Sequence, residues 1–272
     1  MLGLRRFDVN LSILFTDLPL TARPAAAAAA GFTEVELWWP WPEDPEPPEA
    51  ELAALRDALS AAGTRLIALN FYAGRLPGPD RGALSVPGEE SARFRANVDV
   101  AAGFAESVGC RALNALYGNR VDGVAPGAQD ALALENLAYA ARAADRVGAI
   151  LLIEALNAVE SPRYPLTDVA SAVEVVDRVD AATGLGNARL LLDLYHVAMG
   201  GSDPRDAVDR YARRAGHVQI ADVPGRGAPG TGGLDFADLF SRLDGAGYGG
   251  PVGLEYRADG PGADAFGWLA EF

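Results

Sequence analysis

The stretch LLLDLYH at residues 190–196 sets three leucines directly before an aspartate. An apolar run this short reads as a strand buried on both faces, and the acid marks where it emerges. The same design recurs on both sides, as LLIEALN at 151–157, HVQIAD at 217–222 and VGLEYR at 252–257. Working towards the N-terminus, further runs fall at Phe7–Leu11, Glu34–Trp38, Arg65–Asn70 and Ala112–Asn114. With Ala149–Glu154, Ala188–Asp193, His217–Ala221 and Val252–Tyr256 they make eight predicted strands. Between them lie Ala-, Leu- and Arg-rich segments of helical spacing, at Glu49–Ala62, Ala92–Val108, Ala128–Val147 and Asp168–Ala182. Gly63, Gly109, Gly148 and Gly184 punctuate their ends. Eight strand-plus-helix units predict an α/β protein, a (β/α)8 TIM barrel occupying residues 1–272 as one domain.

The proline-rich segment PWPEDPEPP at 40–48 stands between a strand and a helix, so it reads as a long loop and not a domain linker. A dinucleotide-binding fold would need a Gly-rich fingerprint after an early strand. Gly31, Gly63 and Gly74 lack that spacing.

The chain has 272 residues, half of them hydrophobic, which is enough for a large core. Its 23 basic and 37 acidic residues give a formal charge of −14, so nucleic acid and anionic membranes would be repelled. Met1–Arg6 does not read as a secretory leader, and no apolar stretch reaches 18 residues. One cysteine, Cys110 in an apolar setting, excludes an internal disulfide framework and fits a reducing cytoplasm.

In such a barrel the chemistry gathers where strands end, and four successive late strands end in oxygen donors: Glu154, Asp193, Gln219 and Glu255. A lone carboxylate there would ordinarily cap a helix or pair with an arginine. Three together would repel one another unless a cation sits among them, which points to a divalent metal. With the Gln219 amide oxygen the donor set is all oxygen, and it favours Mg²⁺ or Mn²⁺ over Zn²⁺.

These segments, with VNLSILF (9–15), GFTEVELWWP (31–40), GHVQIAD (216–222) and RGAPGTG (226–232), resemble the hydroxypyruvate isomerase family of the xylose-isomerase-like barrels. The resemblance spans essentially the whole chain. It implies that Glu154, Asp193, Gln219 and Glu255 ligate the metal and that Glu154 and Glu255 also move protons. Moving a carbonyl between adjacent carbons requires removing a proton beside it and returning one next door, so two bases suffice. The expected substrate is a small hydroxy-carbonyl acid or sugar, with hydroxypyruvate to tartronate semialdehyde first and a 2-oxo-tetronate isomerase or ketose 3-epimerase as alternatives. Relatives often associate through barrel helices, so a homo-oligomer is expected.

Around this set, His196 follows Asp193 by three positions and is expected to contact substrate; otherwise it is a satisfied core histidine. His217 alternates with Gln219 and should lie one layer deeper. Glu160 is expected to bind substrate hydroxyls, and Asn157 to shape its loop. Arg226 suits a substrate carboxylate or phosphate. Gly225 and Gly233 depart from the histidine and glutamate common in relatives, which leaves substrate choice to the loops. Glu36, Asn70 and Asn10 are expected at the same mouth. Trp38, Trp39 and Trp41 either roof the pocket or pack on the helices. A repair phosphodiesterase of the endonuclease IV type would need several histidines and a basic surface; there are two histidines and a charge of −14.

Overall fold

Each of the eight short apolar runs forms a strand, because β-branched and leucine side chains on both faces are satisfied only inside a sheet covered by helices. In the computed structural model, which describes residues 5–258 and 262–271, the strands are β1 (Phe7–Asn10), β2 (Glu34–Leu37), β3 (Arg65–Asn70), β4 (Ala112–Asn114), β5 (Ile150–Glu154), β6 (Ala188–Asp193), β7 (Ala215–Ile220) and β8 (Val252–Leu254). All pair in parallel in chain order, and Phe7 opposite Val252 closes the barrel. Residues 1–4, part of the segment read for a leader, lie outside the described residues.

The helices are α1 (Arg23–Ala29), α2 (Glu49–Ala62), α3 (Glu89–Val108), α4 (Pro126–Arg146), α5 (Val169–Thr183), α6 (Leu194–Met199), α7 (Pro204–Tyr211) and α8 (Phe236–Gly245). The four expected helices appear, Glu49–Ala62 with its expected ends and the other three with ends shifted by up to three residues. The short α6 was not anticipated: Asp193 ends β6 and immediately caps α6, its Oδ1 accepting from the Tyr195 N–H at 2.8 Å. No helix among the described residues is long and apolar enough to cross a membrane.

Outward-facing strand residues such as Val9, Val35, Leu69, Leu113, Leu151 and Val218 join the helices in the main core. The inward-facing set is divided. Ala68, Ala112, Leu152 and Leu191 make a small apolar cluster on the side of β3 to β6. Asp8, Glu36 and His217 fill the side of β1, β2 and β7, all buried. Gly253 on β8 leaves them room, since a Cβ there would stand 2.9 Å from His217 Nε2 and 3.0 Å from Glu36 Oε1. A barrel lumen is normally packed with branched apolar side chains; half of this one is polar.

Candidate active site

The last residue of β5 and of β6 and the residue just past β8 bring Glu154, Asp193 and Glu255 to one end of the barrel, where Gln219 of β7 joins them. Glu154, Glu255 and His196 line a cavity of about 820 Å³, together with Asn70, Glu160, Arg226 and Trp38. The four expected ligands are all buried.

Each glutamate is held by an asparagine of the adjacent strand. Asn114 Nδ2 donates to Glu154 Oε2 at 2.9 Å, and Asn10 Nδ2 donates to Glu255 Oε1 at 3.0 Å. Trp38 Nε1 donates to the same Glu255 oxygen at 2.7 Å, so this indole serves the site as well as roofing it. Trp39 also lines the cavity and packs edge-on against Trp41, their centroids 5.1 Å apart.

Glu36 does not reach the cavity wall. It stands behind Gln219, accepting from Gln219 Nε2 on Oε1 and lying against His217 Nε2 through Oε2, both at 2.8 Å. Holding the amide nitrogen turns Gln219 Oε1 the other way, where this buried atom has no hydrogen-bond partner; Asp193 Oδ2 has none either. Two buried oxygens without hydrogen-bond partners among clustered acids are donors that a hard cation would satisfy, so the residues fit a divalent metal.

His196 also approaches, its Nε2 3.6 Å from Asp193 Oδ2 and 4.0 Å from Glu154 Oε1. Its other nitrogen decides its role. The Asn157 backbone N–H donates to His196 Nδ1 at 3.1 Å, so Nε2 carries the proton and faces the acids as a donor, not as a ligand. Burial, with Arg226 and Arg81 nearby, keeps this imidazole well below its ordinary pKa and neutral. Asn157 also holds Glu160, through Nδ2 to Oε2 at 3.1 Å, and Tyr195 donates to Glu160 Oε1 at 2.9 Å.

Burial raises the Glu154 carboxyl well above the carboxylate range, and Glu255 and Asp193 push it further. Burial lifts Glu255 to about 7, with Glu36 and Asp193 adding and Arg226 opposing. Arg226 provides the counter-charge among these side chains, its Nη2 2.7 Å from Glu255 Oε2 and 3.8 Å from Asp193 Oδ2, with the guanidinium over the Tyr195 ring. Its backbone has φ +59°, a left-handed setting uncommon outside glycine. The loop that carries it is fastened by Asp222, whose carboxylate accepts from the backbone N–H groups of Val223, Gly230, Gly232 and Leu234.

Deeper in the lumen, burial works against the His217 imidazolium, but Asp8 and Glu36 outweigh it and raise its pKa to about 9. Asp8 is fully buried, and neither carboxyl oxygen is hydrogen-bonded.

Residues 24–272 match the family described as xylose isomerase-like TIM barrel. A "Putative hydroxypyruvate isomerase" of Streptomyces coelicolor is 67% identical over 97% of this chain and 95% of its own length. The chain belongs to the hydroxypyruvate isomerase family. Another member, the hydroxypyruvate isomerase of Escherichia coli, is 33% identical over 93% of both chains. The 2-oxo-tetronate isomerase of Cupriavidus necator is 33% identical over 98% of both. Among solved structures, an AP endonuclease, family 2, from Brucella melitensis superposes with a TM-score of 0.86 at 32% identity, covering 98% of this chain and 99% of the other.

Relative to the structure, sequence reasoning missed Asn114, Trp38 as a hydrogen-bond donor to Glu255, and the Asp8 end of the lumen cluster. Asn114 had a signal, since it ends β4 at the level where acids end later strands. The tryptophan contact joins residues 217 positions apart and had none.

Proposed function

We propose that the protein is a metal-dependent isomerase of a small hydroxy-carbonyl acid, with hydroxypyruvate and tartronate semialdehyde as the first pair to test. The observation that carries this reading is the placing of two buried glutamates, Glu154 and Glu255, at one cavity, beside two buried oxygens, Gln219 Oε1 and Asp193 Oδ2, that have no hydrogen-bond partner. Carboxyls so placed can take a proton from one carbon and return one to its neighbour.

In the forward direction one carboxylate removes a proton from the hydroxymethyl carbon of hydroxypyruvate, and the bonding pair moves into the bond to the keto carbon, giving an enediolate. A proton is then delivered to the former keto carbon, while the hydroxyl proton of the terminal carbon is transferred to the neighbouring oxygen. The terminal carbon becomes an aldehyde and its neighbour a hydroxymethine, with no net oxidation. Glu154 and Glu255 are the acid and base, and His196, with Nε2–H facing the acids, donates to the oxygen that becomes negative. Asn70 and Glu160 hold hydroxyls. A divalent cation held by Glu154, Asp193, Gln219 and Glu255, Mg²⁺ or Mn²⁺ by its oxygen donors, supplies charge stabilisation when bound.

The acid-substrate reading draws on the curated relatives named for hydroxypyruvate and 2-oxo-tetronate. A 2-oxo-tetronate would use the same groups, as would a ketose epimerase. The phosphodiesterase reading raised by the name of the Brucella protein is disfavoured by a charge of −14 and by two histidines that fall in separate clusters. The same reading takes the protein as a single-domain barrel of carbohydrate metabolism, cytoplasmic, without nucleic-acid or membrane partners, and self-associating. Its test is hydroxypyruvate in D₂O with Mn²⁺: deuterium should appear at the former keto carbon of the tartronate semialdehyde formed and, through return of the enediolate, at the hydroxymethyl carbon of the remaining hydroxypyruvate, and no exchange on any 2-oxo acid would refute it.

A further inference from the structure

Among the described residues, one cation on the cavity wall forms no ion pair with an acid. Arg81, in the loop between β3 and α3, lines the cavity. Its Nε donates to Ser161 Oγ at 2.8 Å, and its Nη1 donates to the carbonyls of Gly78 and Asp80 at 2.6 Å each. These bonds fix the plane of the guanidinium without neutralising it. Among the described residues no carboxylate forms an ion pair with it.

The backbone that carries Arg81 is equally fixed. Gly118 donates its N–H to the Arg81 carbonyl at 2.9 Å. Gly82 has φ +107° and lies so close to the β4 loop that a Cβ would stand 2.1 Å from the Leu116 oxygen. The guanidinium is on the Ser161 side of the cavity, whose wall it shares with His196. Ser161, its Nε partner, follows Glu160 on the same wall.

Other arginines of the cavity are placed differently. Arg226 is engaged by Glu255 and Asp193, as described. Arg23 spends Nε and Nη1 on the Leu18 and Leu11 carbonyls and lies near Asp17. Arg257 is exposed to solvent. A half-buried guanidinium that is held rigid, faces a cavity and lacks a counter-ion is a receptor for an anion, and its planar fork suits a carboxylate.

We propose that Arg81, not Arg226, receives the carboxylate of the substrate, so that the acid extends from Arg81 towards Glu154 and Glu255. This rests on the acid-substrate reading. Arg226 then remains with the acids as their positioning partner.

The test compares wild type with Arg81→Met and with Arg81→Gln, which keeps a donor for Ser161. Three quantities are read: steady-state kinetics on hydroxypyruvate with Mn²⁺, calorimetric binding of glycerate (the unreactive reduced analogue), and Mn²⁺ affinity. Both variants should raise KM for hydroxypyruvate and weaken glycerate binding on the order of 30-fold, the effect of losing a charge-assisted contact. Turnover number and Mn²⁺ affinity should stay within about threefold, because uniform binding is what is lost. Unchanged KM and glycerate affinity in both variants would overturn the assignment. So would parallel losses of Mn²⁺ and glycerate affinity, which would mark Arg81 as a support of the loop. If wild type itself neither converts hydroxypyruvate nor binds glycerate, the acid-substrate reading fails and this assignment falls with it.

Discussion

Asn114 holds Glu154 across the β4–β5 pair, its amide nitrogen 2.9 Å from Oε2, and leaves the second carboxylate oxygen facing His196. The bond stabilises the ionised form of a carboxyl that burial drives the other way. Removing it in Asn114→Ala should lower kcat on the order of tenfold, since a positioned base loses both its charge support and its orientation. Circular dichroism should remain that of wild type.

Glu154→Gln and Glu255→Gln keep side-chain shape and remove a base. Each should reduce deuterium exchange into hydroxypyruvate by about 10²-fold or more, read by proton NMR. A variant that retains exchange near the wild-type rate would show that its residue does not move the proton.

The orphaned Gln219 Oε1 depends on Glu36 holding the amide nitrogen. Glu36→Leu should therefore weaken Mn²⁺ binding by about 10–100-fold, the usual effect of losing a partner that orients a ligand. Calorimetry with Mn²⁺ alone measures this without turnover, and Asp193→Asn should weaken the same isotherm.

Gly253 is the gap in β8 that admits Glu36, His217 and Gln219. Gly253→Ala inserts a carbon 3.0 Å from Gln219 Cγ and 2.9 Å from His217 Nε2. Overpacking of this kind should cost about 1–3 kcal/mol in urea unfolding.

Burial pushes the Cys110 thiol from its ordinary value near 9 up to about 12. The folded state thus holds the proton more tightly than the unfolded chain. Its contribution is complete below pH 9 and is lost as pH rises towards 12, at up to about 1.4 kcal/mol per pH unit. Cys110→Ala should lose less stability than wild type between pH 9 and 11 in parallel urea titrations. The wild-type thiol should resist iodoacetamide at pH 8 until the chain unfolds.

The barrel was legible because apolar runs and their polar ends repeat eight times, and a parallel sheet covered by helices leaves few other ways to bury them. The four strand-end donors were legible for the same reason. Two relationships were not. Glu36 was expected to line the mouth, but strand alternation places Glu36 inward without saying how deep, and the stagger of the barrel brings it behind Gln219. Arg226 was expected to meet the substrate's charge; in the fold it lines the cavity, and its pairing with Glu255 and Asp193 is a relationship that only the closed sheet creates. Arg81 gave no signal at all, because its orientation depends on loop contacts to Ser161 and Leu116 that no periodicity encodes.

The four backbone N–H groups gathered by Asp222 bear on what the resting enzyme must do when substrate arrives. A loop tied at Val223, Gly230, Gly232 and Leu234 has already lost its freedom during folding, so Arg226 does not have to be recruited by a closing motion. No part of the substrate's affinity is consumed in ordering that side of the mouth. For a small hydroxy-keto acid, whose few contacts limit its affinity, that side of the mouth then needs no ordering on binding and no reopening on release.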